Sequence, residues 1–138
     1  MIRALLIDLD GTIIDSMPAL YRTYLNILQE RGITGNQEEF DRLTGFSLSE
    51  IARALKATYG WKESYEVIFS RYLTLLHHHY VLSPLTFPGV EEVIRYAKQQ
   101  GMLISLVTSS PALLAYEVLK KVNLFPLFDY IITQLILI

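Results

Sequence analysis

A short apolar run from Arg3 to Leu9 passes straight into Asp8-Leu9-Asp10-Gly11-Thr12, and this junction narrows the possible folds more than any other stretch of the chain. A continuous apolar run of this length reads as a buried parallel strand, and the acidic, glycine-containing segment after it as the turn where the strand opens. A second such run, Met102 to Val107, ends in Thr108-Ser109-Ser110-Pro111. Between the two lie helical patterns. Residues 17–31 carry Leu20, Tyr24, Ile27 and Leu28 at helical spacing and stop at Gly32, a plausible left-handed cap. Ser47 and Glu50 have capping-box spacing ahead of Ile51 and Leu55, and Gly60 ends that helix. A third helical stretch covers roughly 63–80.

Two prolines and a glycine between Ser83 and Gly89 mark a linker. Helix returns at 89–100 and closes at Gly101. Ser110 as N-cap and Pro111 at the first helical position then start a helix running to about Val122. Tyr130 to Ile138 reads as a third strand or a tail imitating one. The expected fold class is α/β, a doubly wound parallel sheet (Rossmann-like, incomplete) with an inserted α-helical cap. Residues 1–16 and 86–138 form the core, and 17–85 the cap.

Asp8 and Asp10 sit two residues apart at the carboxyl end of a strand, the ligand-bearing edge of a parallel sheet, and residues so spaced face one side. Gly11 lets the backbone turn tightly and approach a ligand closely. Two acids this near repel, and burying both is costly unless a cation or a shared proton compensates. Their oxygens suit Mg²⁺, which makes both candidate metal ligands. Taken alone, an Asp-x-Asp before glycine reads more readily as an ordinary turn.

The pentapeptide after its hydrophobic strand, followed by Asp15-Ser16, resembles the first signature motif of haloacid dehalogenase-like phosphatases. Leu103 to Ser109 resembles the second. Residues 86–130, with Phe87-Pro88-Gly89-Val90 and Leu127-Phe128-Asp129-Tyr130, resemble the phosphoglycolate phosphatase-like branch. The resemblance implies that Asp8 attacks phosphorus to form an aspartyl-phosphate. It implies that Asp10 protonates the leaving alcohol and then activates water. It also implies that Thr108, by its hydroxyl, and Ser109, by its amide, hold the phosphate beside Gly11, with Mg²⁺ as cofactor. A carboxylate is a competent nucleophile, and a divalent cation offsets its repulsion from a phosphate dianion. Dehalogenases and phosphonatases of the superfamily lack the second acid, so Asp10 favours phosphoester chemistry.

A helical cap that closes and expels water implies a small phosphorylated metabolite as partner. Leu43-Thr44-Gly45-Phe46-Ser47 resembles the branch's specificity loop. Related sugar-phosphate mutases carry an arginine near the position of Leu48, which this chain lacks. Arg42 reads as an exposed helix arginine. Three consecutive helical residues point about 100° apart, so His77, His78 and His79 cannot chelate one ion together. Trp61 and the scattered tyrosines read as cap packing.

The family pattern continues with a lysine and a Gly-Asp acidic segment that this chain does not match. Its last lysine is Lys121, and after Asp129 only Tyr130 is ionisable. The expectation is a phosphatase truncated or frameshifted near Thr133, impaired in activity, with an apolar sheet edge exposed and an aggregation-prone end. The mean hydropathy of +0.31 agrees with such an edge. The alternatives are a non-catalytic phosphate-binding or interaction module and a sugar-phosphate mutase. A net charge of −2 gives no argument for nucleic acid or an anionic membrane. With no cysteine, no thiolate site or disulfide is possible, and without a leader-like or membrane-length apolar run a cytoplasmic protein is expected.

Overall fold

In the computed structural model, which describes residues 1–133, three parallel strands lie in the order β1 (Ala4–Ile7), β2 (Leu103–Val107), β3 (Tyr130–Ile132). Leu5 pairs with Ile104, and Leu106 with both Ile7 and Ile131. Asp129 locks the start of β3: its amide donates to the Ile104 carbonyl at 2.8 Å, and its carboxylate accepts the Ile104 amide at 2.8 Å and the Lys98 ammonium at 2.9 Å. The expected third strand is thus present over 130–132, and the remainder of that expectation, Gln134 to Ile138, lies outside the described residues.

The helices between β1 and β2 are α1 (Met17–Gln29), α2 (Gln37–Leu43), α3 (Leu48–Tyr59) and α4 (Tyr65–Leu76), followed by a π-helical turn, His77–Val81, and α5 (Val90–Gln99). Helix α6 (Ala112–Lys121) and a 3₁₀ turn (Phe125–Leu127) connect β2 to β3. The entry and exit of the helical insertion run side by side. The Asp15 amide donates to the Leu85 carbonyl at 2.8 Å, and the Phe87 amide to the Ile13 carbonyl at 3.0 Å.

Helix α3 has both halves of the capping box, with Ser47 Oγ accepting from the Glu50 amide and the Glu50 carboxylate from the Ser47 amide. It ends at Gly60 with φ of 63°. Helix α2 carried too little periodicity to be expected, because only Phe40 and Leu43 of its seven residues are buried. Asn36 starts it by accepting from the Glu39 amide at 2.8 Å. The stretch expected as one helix over 63–80 changes from α to π geometry after Leu76. The expected cap of α6 is also corrected. Pro111 is extended at the cap position with no side-chain bond, and Ser110 turns its hydroxyl elsewhere.

The interior of the insertion is apolar: Tyr24, Ile27, Leu28, Ala52, Leu55 and Ile68 are essentially inaccessible. One face of the sheet, Leu5, Ile7, Ile104, Leu106 and Ile131, joins the same continuous core, and α5 packs on β2. The reading of β1 as a strand buried on both faces does not hold among the described residues. Alternation places Leu6, Leu103, Val107, Tyr130 and Ile132 on the other face, where Leu6 is 68% exposed and Ile132 53%. The small Ser105 lies between the larger side chains of that face, its hydroxyl buried and without a partner among the described residues.

Candidate active site

Beyond β1 the chain folds back on the Leu9 carbonyl, which accepts from the amides of Ile13 at 2.9 Å and Ile14 at 3.0 Å. Gly11, at φ of 74°, makes this reversal possible, since a side chain is strained in that region. Its amide donates to the Ile14 carbonyl at 2.9 Å and is committed within the loop. The turn presents Asp8 and Asp10 to a cavity of about 240 Å³ between the sheet's carboxyl edge and the helical insertion.

Asp8 is exposed, and one of its oxygens accepts the Leu9 amide at 2.9 Å. Asp10 is held on both sides. Its Oδ2 accepts from Ser110 Oγ at 2.7 Å, and its Oδ1 accepts a short hydrogen bond from the Tyr80 hydroxyl. Tyr80 is 3% exposed and sits in the π-helical turn. Burial first, and then the charge of Asp10, pushes its phenol far above the usual tyrosine range, so it keeps the proton it donates.

Of the residues expected at the site, Asp8, Asp10 and Ser109 line the cavity. Thr108 and Gly11 are not among the lining residues. Thr108 is buried, its Oγ accepts the Ser110 amide at 3.1 Å, and its own amide ties β2 to the Ile132 carbonyl at 3.0 Å. Sequence reasoning missed Ser110 and Tyr80. Ser110 could have been found as the second serine of the strand-ending Thr-Ser-Ser. For Tyr80, 70 residues from Asp10 in sequence, no local signal exists.

The remaining candidates disperse. His77 pairs with Glu117 at 2.7 Å, and His79 Nε2 with Asn26 Nδ2 at 2.7 Å. Arg42 is exposed and bonded to Glu38, while Trp61 stacks on Tyr59 with the Arg31 guanidinium over its ring. Among the described residues no three His, Cys, Asp or Glu side chains gather as a metal cluster. The donor chemistry nevertheless fits magnesium, which binds through one or two carboxylates and fills its shell with water and phosphate oxygens. Asp8 offers an open carboxylate oxygen, whereas both carboxylate oxygens of Asp10 are engaged, which leaves Asp10 its main-chain carbonyl as the oxygen to offer a metal.

Residues 5–135 match the family model described as haloacid dehalogenase-like hydrolase. A hexitol phosphatase B from Escherichia coli is 28% identical, over 93% of this chain and 59% of its own length. A phosphoglycolate phosphatase from Aliivibrio fischeri is 30% identical, over 95% and 61%. The chain therefore spans about three fifths of the length of these relatives. The CbbY protein of Rhodobacter sphaeroides, solved in complex with phosphate, shares the fold with a TM-score of 0.79 at 20% identity, over 99% of this chain and 65% of that one.

Proposed function

The chain belongs to the haloacid dehalogenase-like hydrolases, and from that membership we propose that it carries the nucleophile and acid/base residues of a small-molecule phosphatase working through an aspartyl-phosphate. The two relatives named above are phosphatases. The observation that carries the reading is the placement of Asp8, open, and Asp10, fixed by two donors, at one cavity beside Ser109 and Ser110.

A carboxylate oxygen of Asp8 attacks phosphorus, and the bond from phosphorus to the ester oxygen breaks. The departing alkoxide takes a proton from Asp10, which enters this step as the neutral acid and leaves it as the carboxylate that Tyr80 and Ser110 hold. In the second half, Asp10 removes a proton from water, the hydroxide attacks phosphorus, and the acyl-phosphate bond to Asp8 breaks to release inorganic phosphate. Ser109 and the start of α6 face the phosphate oxygens, where backbone amides and the helix dipole favour negative charge. Thr108 Oγ accepts the Ser110 amide and so keeps its proton for a phosphate oxygen, while Gly11 turns the loop beside it. Magnesium on Asp8, when bound, would offset the charge between carboxylate and phosphate. The helical insertion, acting as a cap over 17–85, excludes water from the reaction.

Leu48, where related mutases carry arginine, presents an apolar side chain to the cavity, which supports hydrolysis over phosphoryl transfer to a sugar. No helix among the described residues is long and apolar enough to cross a membrane, in keeping with our placing the protein in the cytoplasm. The test is beryllium fluoride, an acyl-phosphate mimic, added with Mg²⁺ and followed by fluorine NMR. A bound signal lost in Asp8→Asn is expected, along with release of phosphate from p-nitrophenyl phosphate at no more than an impaired rate. A bound signal unchanged in Asp8→Asn would overturn the assignment of the nucleophile. Phosphate binding without any turnover would favour a non-catalytic module.

A further inference from the structure

The alcohol side of the cavity has a chemical character of its own. The helical insertion contributes Leu20, Phe40, Leu43, Phe46, Leu48 and Ile51 to its wall. The charged residues among all its lining side chains are Asp8 and Asp10, both of them acids of the reaction centre. Arg42, the nearest cation in sequence, points to solvent with a side chain 65% exposed and bonded to Glu38. Thr44 lines the wall, but its hydroxyl donates to the Phe40 carbonyl at 3.2 Å.

On the insertion's side of the wall one side-chain hydroxyl makes no hydrogen bond among the described residues. Tyr72, on α4, is 3% exposed and lines the cavity, and its hydroxyl has no hydrogen-bond partner among the described residues. Burial keeps the phenol protonated, so it can donate as well as accept. A buried tyrosine hydroxyl usually finds a partner, and one facing a cavity without one is a binding group awaiting a ligand atom. At the mouth, Phe46 is 45% exposed on a loop that Gly45 turns with φ of 90°. An aromatic ring held toward solvent beside an apolar cavity gains most when a ligand covers it.

We infer that the substrate is a phosphate monoester of a small, mainly apolar alcohol carrying one hydrogen-bonding group, which Tyr72 recognises, rather than a polyol phosphate or a phosphorylated carboxylic acid. This inference rests on the phosphatase reading above and specifies its substrate class. A polyol would bring several hydroxyls to a wall whose side chains offer the Tyr72 hydroxyl and the free lone pairs of Thr44, and hydroxyls beyond these would be desolvated without side-chain partners. A carboxylate would meet no cation there and would face two acids. An apolar chain gives up no hydrogen bonds by entering, and one methylene in such a pocket changes binding about tenfold or more.

The experiment is calorimetric titration of the full chain, with Mg²⁺, using phosphonates that cannot be hydrolysed. The probes are methylphosphonate, pentylphosphonate and 5-hydroxypentylphosphonate, set against phosphoglycolate and glucitol 6-phosphate, with inorganic phosphate as competitor. Pentylphosphonate is expected to bind at least about tenfold more tightly than methylphosphonate, and the two polar esters no more tightly than methylphosphonate. Tyr72→Phe should weaken the hydroxypentyl probe and leave the pentyl probe unchanged. Phe46→Ser, on the exposed loop and so harmless to folding, should reduce the advantage of the pentyl chain.

If phosphate displaces every probe but the polar esters bind most tightly, the substrate inference fails and the phosphate site stands. If the pentyl advantage survives Phe46→Ser intact and Tyr72→Phe affects no probe, the assigned wall is wrong. If phosphate displaces none of the probes, the phosphatase reading falls and this inference with it.

Discussion

The helical insertion and the sheet bury their apolar residues to different degrees. Helices α1 and α3 each pack against α4, with side chains such as Tyr24, Leu55 and Ile68 essentially inaccessible. The sheet has one face in the core and, among the described residues, one face where Leu6, Leu103, Val107, Tyr130 and Ile132 stand open. A helical bundle satisfies its backbone locally and closes on itself. A parallel sheet needs cover on both faces before its apolar strands are buried. The cavity lies where the two meet, and the Tyr80 bond to Asp10 ties them together there.

The largest effect should come from testing the two interiors directly. Ile68→Ala removes a fully buried side chain and should cost about 2–5 kcal/mol in urea denaturation. Leu6→Ala, on the open face, should change stability by no more than about 0.5 kcal/mol. Equal losses at both positions would break the contrast, since Leu6 would then be packed in solution.

The same division governs what the sequence made legible. The framing helices of the insertion announced themselves through local chemistry: Ser47 with Glu50 at one end of α3, Gly60 at the other, and apolar spacing through α1. The strands announced themselves through apolar runs. Legibility ended where partners are distant in sequence. Continuous hydrophobicity in residues 4–7 promised burial on two faces, but burial is a property of what packs against a strand, and the strand's own composition cannot reveal that. Ser110 looked like a helix cap because it precedes proline, yet its hydroxyl meets Asp10, 100 residues away. The acids themselves were readable because strand, turn and glycine are contiguous there.

The joint between the regions gives the next effect. Tyr80→Phe leaves the ring packed and removes one donor from a charged acceptor, for an expected cost of about 1.5–3 kcal/mol. A double-mutant cycle with Asp10→Asn isolates the bond from the packing. Zero coupling energy would mean that the insertion and the core are not latched through these groups. Within the insertion alone, Ser47→Ala should cost about 1 kcal/mol through loss of the cap of α3. Native-state hydrogen exchange should show that loss at α3 and leave β2 protected. Equal loss of protection in the sheet would instead make the two regions one cooperative unit.

Acid should separate the regions by the smallest margin and the cleanest sign. Burial first, then the charges of His78 and Arg22, holds His79 below its ordinary value of 6.5, and its neutral ring accepts from Asn26 on α1. The unfolded chain protonates this histidine at its ordinary value, while the folded one resists until lower pH. Stability therefore declines as pH falls below 6.5. Protonation also breaks the bond, because both partners are then donors. Asp129, at the foot of β3, behaves otherwise. The Ile104 amide first, then Lys98, lowers it from 3.8, so its contribution is full above that value and is lost only as pH falls through its lowered folded value. Between pH 6.5 and 3.8, exchange protection should thus fall at the junction of α1 with the π-helical turn and hold across β2 and β3. His79→Gln should flatten the first response without touching the second. A parallel decline of the sheet in that window, or a His79→Gln variant as acid-sensitive as the parent, would show that the two regions do not answer to separate groups.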